Sequence, residues 1–151
     1  MKILSAIILI LSCFIAVNVS AMQITIYNKG ASSKVEFTSA QEKKILNIVK
    51  ELYEKTDKIN NLNVDKKNIT EIKSKDRCVE IIFDMSYLFN NSAIGNSVLN
   101  KILIPLSGTY AGDIKKGGLN FFGGLDDYNG KQYFNSNGMK YAEQIYQELL
   151  K

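Results

Sequence analysis

The 151-residue chain has no histidine, no tryptophan, two cysteines, one proline and a single arginine, Arg77. Without histidine there is no Ser-His-Asp or Cys-His hydrolysis, no imidazole zinc site, and none of the acid–base chemistry that imidazole supplies near neutral pH. Of the cysteines, Cys13 lies in an apolar leader-like run and only Cys78 follows it. One thiol closes no intrachain bridge and builds no thiolate metal cluster, so the fold is expected to stand on packing, with neither metal nor cofactor. Lacking an imidazole base, Cys78 reads as a small apolar strand residue, with a bridge between chains as the alternative. Bidentate reading of phosphates and base edges favours arginine over lysine. The basic excess, nearly all lysine, therefore describes a solvated surface, and nucleic acid is not an expected partner.

What is present starts with Met1-Lys2, an apolar run from Ile3 to Val17 broken by Ser5 and Ser12, and then Asn18-Val19-Ser20-Ala21. One charge, an apolar stretch and small residues before a cut are the three parts of a secretory signal. Residues 1–21 are read as that signal, cleaved after Ala21, and residues 22–151 as one α+β domain, periplasmic or extracellular, with no membrane segment once the leader is gone. The alternatives are an uncleaved anchor and a lipoprotein modified at Cys13. The leader carries Lys2 and no acid, so the formal charge of +4 falls to +3 on cleavage. The wealth of lysine, asparagine and isoleucine is that of small exported proteins from AT-rich bacterial genomes.

Downstream, Met22 to Asn28 alternates with period two, Asn28-Lys29-Gly30 is turn chemistry, and Lys34 to Phe37 alternates again, which predicts a hairpin. Ser39-Ala40-Gln41-Glu42 has capping-box spacing, and Ile45, Ile48, Val49, Leu52 and Tyr53 form a helical stripe. Thr56 to Lys67 reads as a connection tethered by Ile59, Leu62 and Val64, and Asn68 to Lys73 as either a short strand or a helical turn. In Arg77 to Met85, the residues Val79, Ile81, Phe83 and Met85 share one face and Glu80 and Asp84 the other, a strand with one wet side. Ser86 to Asn100 reads as a loop or an irregular turn of helix. Lys101 to Asn135 holds the only proline and seven of the ten glycines between short apolar runs, the pattern of consecutive antiparallel strands. Pro105 predicts an edge strand or a bulge, and Asn129-Gly130 a type I′ hairpin turn. Gly138 to Lys151 is a second amphipathic helix, capped by Asn137 or Ser136.

Segregated strands and helices indicate α+β: an antiparallel sheet of about five to seven strands, with the Ser39 helix on one face and the C-terminal helix beside it. The layout resembles, in topology only, cystatin-type folds, in which a sheet wraps a helix. The Gln-x-Val-x-Gly loop that carries protease inhibition in that family is missing, so the resemblance implies no site residue.

Familiar site motifs fail on spacing. Before Gly130-Lys131 the nearest glycine is one place too far for a phosphate loop, and Gln132 follows. Thr70 and Lys73 are the nearest approach to a Ser-x-x-Lys pair. Asp126-Asp127-Tyr128-Asn129-Gly130 resembles half a calcium loop, but Leu125 and Ser136 stand at its first and last ligand positions. Two chemistries survive. Paired carboxylates from Glu80, Asp84, Asp113, Asp126 and Asp127 suit a glycosidase-like hydrolase, with a weak calcium site at Asp126, Asp127 and Asn129 as a further alternative. The aromatic stretch instead suits a non-catalytic binding module, with Tyr110, Asp113, Asp126, Asp127 and Tyr128 facing a protein or glycan partner, by strand addition beside Pro105 among other modes. The binding module is the leading expectation.

Overall fold

The computed structural model describes residues 22–60 and 62–151. The leader reading of residues 1–21, with its cleavage site and Cys13, lies outside the described residues. In chain order the elements are β1 (Met22–Asn28), β2 (Ala31–Val35), α1 (Ser39–Glu54), β3 (Lys58–Asn60), α2 (Lys66–Lys75), β4 (Arg77–Phe89), β5 (Ser97–Pro105), β6 (Leu119–Leu125), β7 (Asp127–Asn135) and α3 (Gly138–Leu149). The strands form one antiparallel sheet in the order β2-β1-β4-β5-β6-β7-β3, which is the α+β class at the upper end of the expected strand number. Among the described residues, no helix is long and apolar enough to cross a membrane.

The main core lies between one sheet face and the pair α1 and α3. The α1 stripe buries Ile45, Val49, Leu52 and Tyr53, and α3 adds Tyr141, Ala142 and Ile145. They pack against Ile24, Val79, Ile81, Phe83, Ile102, Ile104 and Phe121. Tyr53 stands at the centre, its ring 5.6 Å from Phe89 and 5.4 Å from Tyr133, while its hydroxyl donates to Ser97 Oγ at 2.7 Å. Buried Asn91 ties down the end of α1 by donating to the carbonyls of Tyr53 and Glu54 in its last turn and of Thr56 just beyond it.

The opposite face departs from the sequence reading. It is covered by α2, whose Ile69 and Ile72, with Val64, bury against Cys78, Leu103 and Phe122. The supposed wet side of β4 is therefore dry at Glu80, which is 6% exposed, while Met85, expected inside, is 57% exposed. Met85 lies where the β4–β5 register slips between Ile82 and Tyr87, so alternation no longer governs its direction. The uncertain segment from Asn68 to Lys73 is the body of α2, started by a capping box between Asp65 and Asn68. A helix on each face also departs from the cystatin-type layout, and Ser86 to Asn100 is strand at both ends.

Three local expectations move. Pro105 is the last residue of β5, a central strand, not an edge strand. Leu106 N donates to Arg77 O at 2.7 Å, so the Pro105 nitrogen points away from β4, towards β6, whose pairing with β5 ends at Leu103. Asn129-Gly130 lies inside β7 as a bulge, with Gly130 at φ 75 and its carbonyl accepting from Val64 N at 3.1 Å. The reversal occurs instead at Asp126 (φ 62), because Gly124 leaves room there: a Cβ on it would lie 2.0 Å from Asp127 O. The cap of α1 is Thr38, with Gln41 as its reciprocal partner, whereas Asn137 stands at the N-cap of α3 as expected, its side chain making no capping bond. The first hairpin turns as expected through Lys29 (φ 51) and Gly30 (φ 89), both left-handed as a type I′ turn requires.

Candidate functional site

Period-two alternation sends Cys78 and Glu80 of β4 to the α2 side, where β1 supplies Tyr27 and β7 supplies Tyr128. Lys73, one helical turn after Ile69, reaches down from α2. Its Nζ lies 2.7 Å from Glu80 Oε1, the same oxygen that accepts from the Tyr128 hydroxyl at 2.7 Å, while Tyr27 donates to Oε2 at 3.0 Å. Lys73 also sits 5.3 Å above the Tyr27 ring and 5.9 Å from that of Tyr128, within cation–π range. Lys101 lies over Tyr128 from the β5 side and donates to the Asp126 carbonyl.

Charge and burial determine what this cluster can do. Burial alone would raise the pKa of Glu80, but the hydrogen bonds from Lys73 and Tyr128, the Lys73 charge and the Tyr27 bond together hold it below the usual carboxylate range. Burial, and then the facing Glu80 charge, push the Tyr27 hydroxyl up to about 12 and the Tyr128 hydroxyl up as well. Burial likewise pushes the Cys78 thiol up to about 12. At neutral pH the phenols and the thiol keep their protons and the carboxylate is held by three donors. The arrangement pins α2 to the sheet and offers neither an activated nucleophile nor a free base. Cys78, fully buried, has no surface from which to bridge another chain.

Of the residues singled out from sequence, Tyr128 joins this cluster. Tyr110 borders the same apolar layer, edge-on to Phe122 and accepting from Asn68 Nδ2 at 2.9 Å. Asp127 pairs with Lys66 at the start of α2 at 2.9 Å, which holds its carboxyl below the ordinary range. Asp126 sits at the reversal with Asn100, and Asp113 stands apart with Lys116. Each of these acids is engaged by a partner of its own, Asp113 by Lys116, Asp126 by Asn100 and Asp127 by Lys66. The side-chain oxygens of the supposed calcium set have protein partners: Asp126 accepts from Asn100, Asp127 from Lys66 and Tyr128 N, and Asn129 from Lys131 N. Sequence reasoning missed Tyr27 and Lys73, and placed Glu80 in water. The signal was there in Asp65-x-x-Asn68 followed by Ile69 and Ile72, a capped helix start whose apolar pair needs a surface to cover.

A second feature lies on the other face. Between α3 and the β5–β6 connection is a concavity of ≈ 310 Å³, walled by Leu106, Ile114, Met139, Ala142 and Tyr146, with Arg77 at its lining. Alternation along β4 puts Arg77 on the side of Val79 and Ile81, opposite Cys78. Arg77 is exposed at the rim, and among the described residues its guanidinium forms no ion pair and no hydrogen bond. Compared with the models of protein families, with curated proteins and with solved structures, the chain matches none.

Proposed function

We propose that the mature chain is an exported, non-catalytic binding protein that acts on an envelope or extracellular partner, with its ligand seat in the concavity beneath α3. The observation that carries this reading is an apolar hollow, at the small end of the roughly 300–1,000 Å³ typical of ligand sites, lined by the chain's only arginine with no ion-pair partner among the described residues. The saturated Glu80 cluster and the individually partnered surface acids favour binding over the carboxylate-hydrolase alternative. Export rests on the leader sequence.

The test uses protein recovered after expression of the full chain in a secretion-competent bacterium. Intact mass should give a chain beginning at Met22. A panel of small apolar compounds should shift methyl resonances of Ile114, Met139 and Ala142. Mass showing residues 1–21 still attached would overturn export. Glycan cleavage that disappears in Asp126→Asn would overturn the non-catalytic assignment.

A further inference from the structure

We propose, resting on the binding reading above, that the seat beneath α3 takes a small amphipathic carboxylate: the carboxylate on Arg77, the apolar body against Leu106, Ile114, Met139, Ala142 and Tyr146. Arg77 springs from a backbone fixed on both sides. Its N–H donates to Ser107 Oγ at 2.8 Å and its carbonyl accepts from Leu106 N at 2.7 Å. The walls are fixed as well. Leu106 and Ala142 belong to the main core, with Met139 and Tyr146 packed against it. Met139, Ala142, Glu143, Tyr146 and Gln147 recur at three- and four-residue steps, so one stripe of α3 forms a whole side of the hollow. Ile114 comes from the short 3₁₀ turn Ile114–Lys116, which is tied to the start of α3 by Met139 N donating to Gly117 O at 3.0 Å.

The chemistry of the lining selects the ligand. A guanidinium presents a planar fork of donors that matches a carboxylate with two parallel hydrogen bonds. Most of its neighbours here are apolar, Glu143 and Gln147 being the polar exceptions, so a ligand that satisfies both has one anionic end and an apolar body. Glu143 on the same rim adds a negative charge, which disfavours a doubly charged phosphate and tolerates a monoanion. The ≈ 310 Å³ volume favours a medium-length acyl or aryl acid over a long-chain lipid or a nucleotide.

Octanoate, octan-1-ol and acetate separate the contributions when titrated into the exported protein by calorimetry and methyl spectra. Octanoate is expected to shift Ile114, Met139 and Ala142 and to bind about tenfold or more tighter than octan-1-ol, the scale of a charge-assisted hydrogen bond. Acetate, which has no apolar body, should produce no shift at millimolar concentration. Arg77→Gln should abolish the octanoate advantage and leave octan-1-ol unchanged. If that variant loses its dispersed spectrum, the comparison in the wild-type protein decides alone. Equal binding of octanoate and octan-1-ol with the same methyls moving would overturn the carboxylate assignment while sparing the binding reading. No shift with either compound, or shifts only elsewhere, would overturn both.

Discussion

Glu80 is a charge held inside the protein, and its ionisation links stability to pH. Its folded pKa lies below the ordinary glutamate value, so its contribution is fully present above that value and is lost as pH falls through the lower, folded one. Glu80→Gln keeps an acceptor for the tyrosines but removes the charge facing Lys73, and is expected to cost about 1–3 kcal/mol at neutral pH. Below about pH 4 the wild-type protein should lose stability more steeply than the variant, because only the wild type takes up this proton. Urea midpoints measured from neutral to acid pH check it, and parallel curves would mean that Glu80 titrates as an unfolded glutamate does. At this scale the sequence marked Tyr128 and Tyr110 as aromatic side chains needing a contact but assigned them to a partner, whereas both pack against the layer beneath α2. The burial of Glu80 was not legible. A glutamate alternating with apolar residues looks the same whether water or a helix covers it, and only a residue distant in sequence, Lys73, decides which.

Elements were more legible than their ends. The stripe from Ile45 to Tyr53 identifies α1 because burial must recur at the helical period, but Thr38 and Ser39 are both competent caps and local sequence does not rank them. Gln41 does. Its Oε1 accepts from Thr38 N at 2.8 Å while its Nε2 donates to Glu148 O at the end of α3 at 2.6 Å, so the cap is chosen by a tertiary contact. Thr38→Ala should therefore cost about 1 kcal/mol and Ser39→Ala only a few tenths. Thermal midpoints of the two single variants decide it, and the reverse order would restore the serine cap. The same limit explains Asn129-Gly130: the dipeptide reports a left-handed residue, which Gly130 has, but not whether that residue closes a turn or a bulge. Gly124 settled that, through the close approach of the Asp127 carbonyl.

Among the described residues the molecule is three layers, and the two sides of the sheet are unequal. Tyr53, Phe121 and the α1 and α3 stripes fill one side. On the other, α2 rests on the short row Cys78, Leu103 and Phe122, with Lys73 on Glu80 and an exposed pair between Lys66 and Asp127. Sequence periodicity shows that an element has an apolar face but not which surface receives it, so the second layer was the part of the fold least legible beforehand. The consequence expected of it is a local opening. Lifting α2 breaks the smaller cluster and exposes Cys78 while the main core stays closed, and such openings lie below the global unfolding free energy. The thiol reports it directly, since burial keeps the folded thiol protonated, with its pKa pushed up to about 12, and reaction at about pH 8 requires the open form. Cys78 alkylation under native conditions should give an opening free energy smaller than that of the slowest amides of Val79 and Ile81, with a shallower urea slope, because less surface is exposed. Glu80→Gln should speed the alkylation more than it speeds exchange at those amides. A thiol and amides that share one free energy and one slope would show that α2 and the sheet open only together.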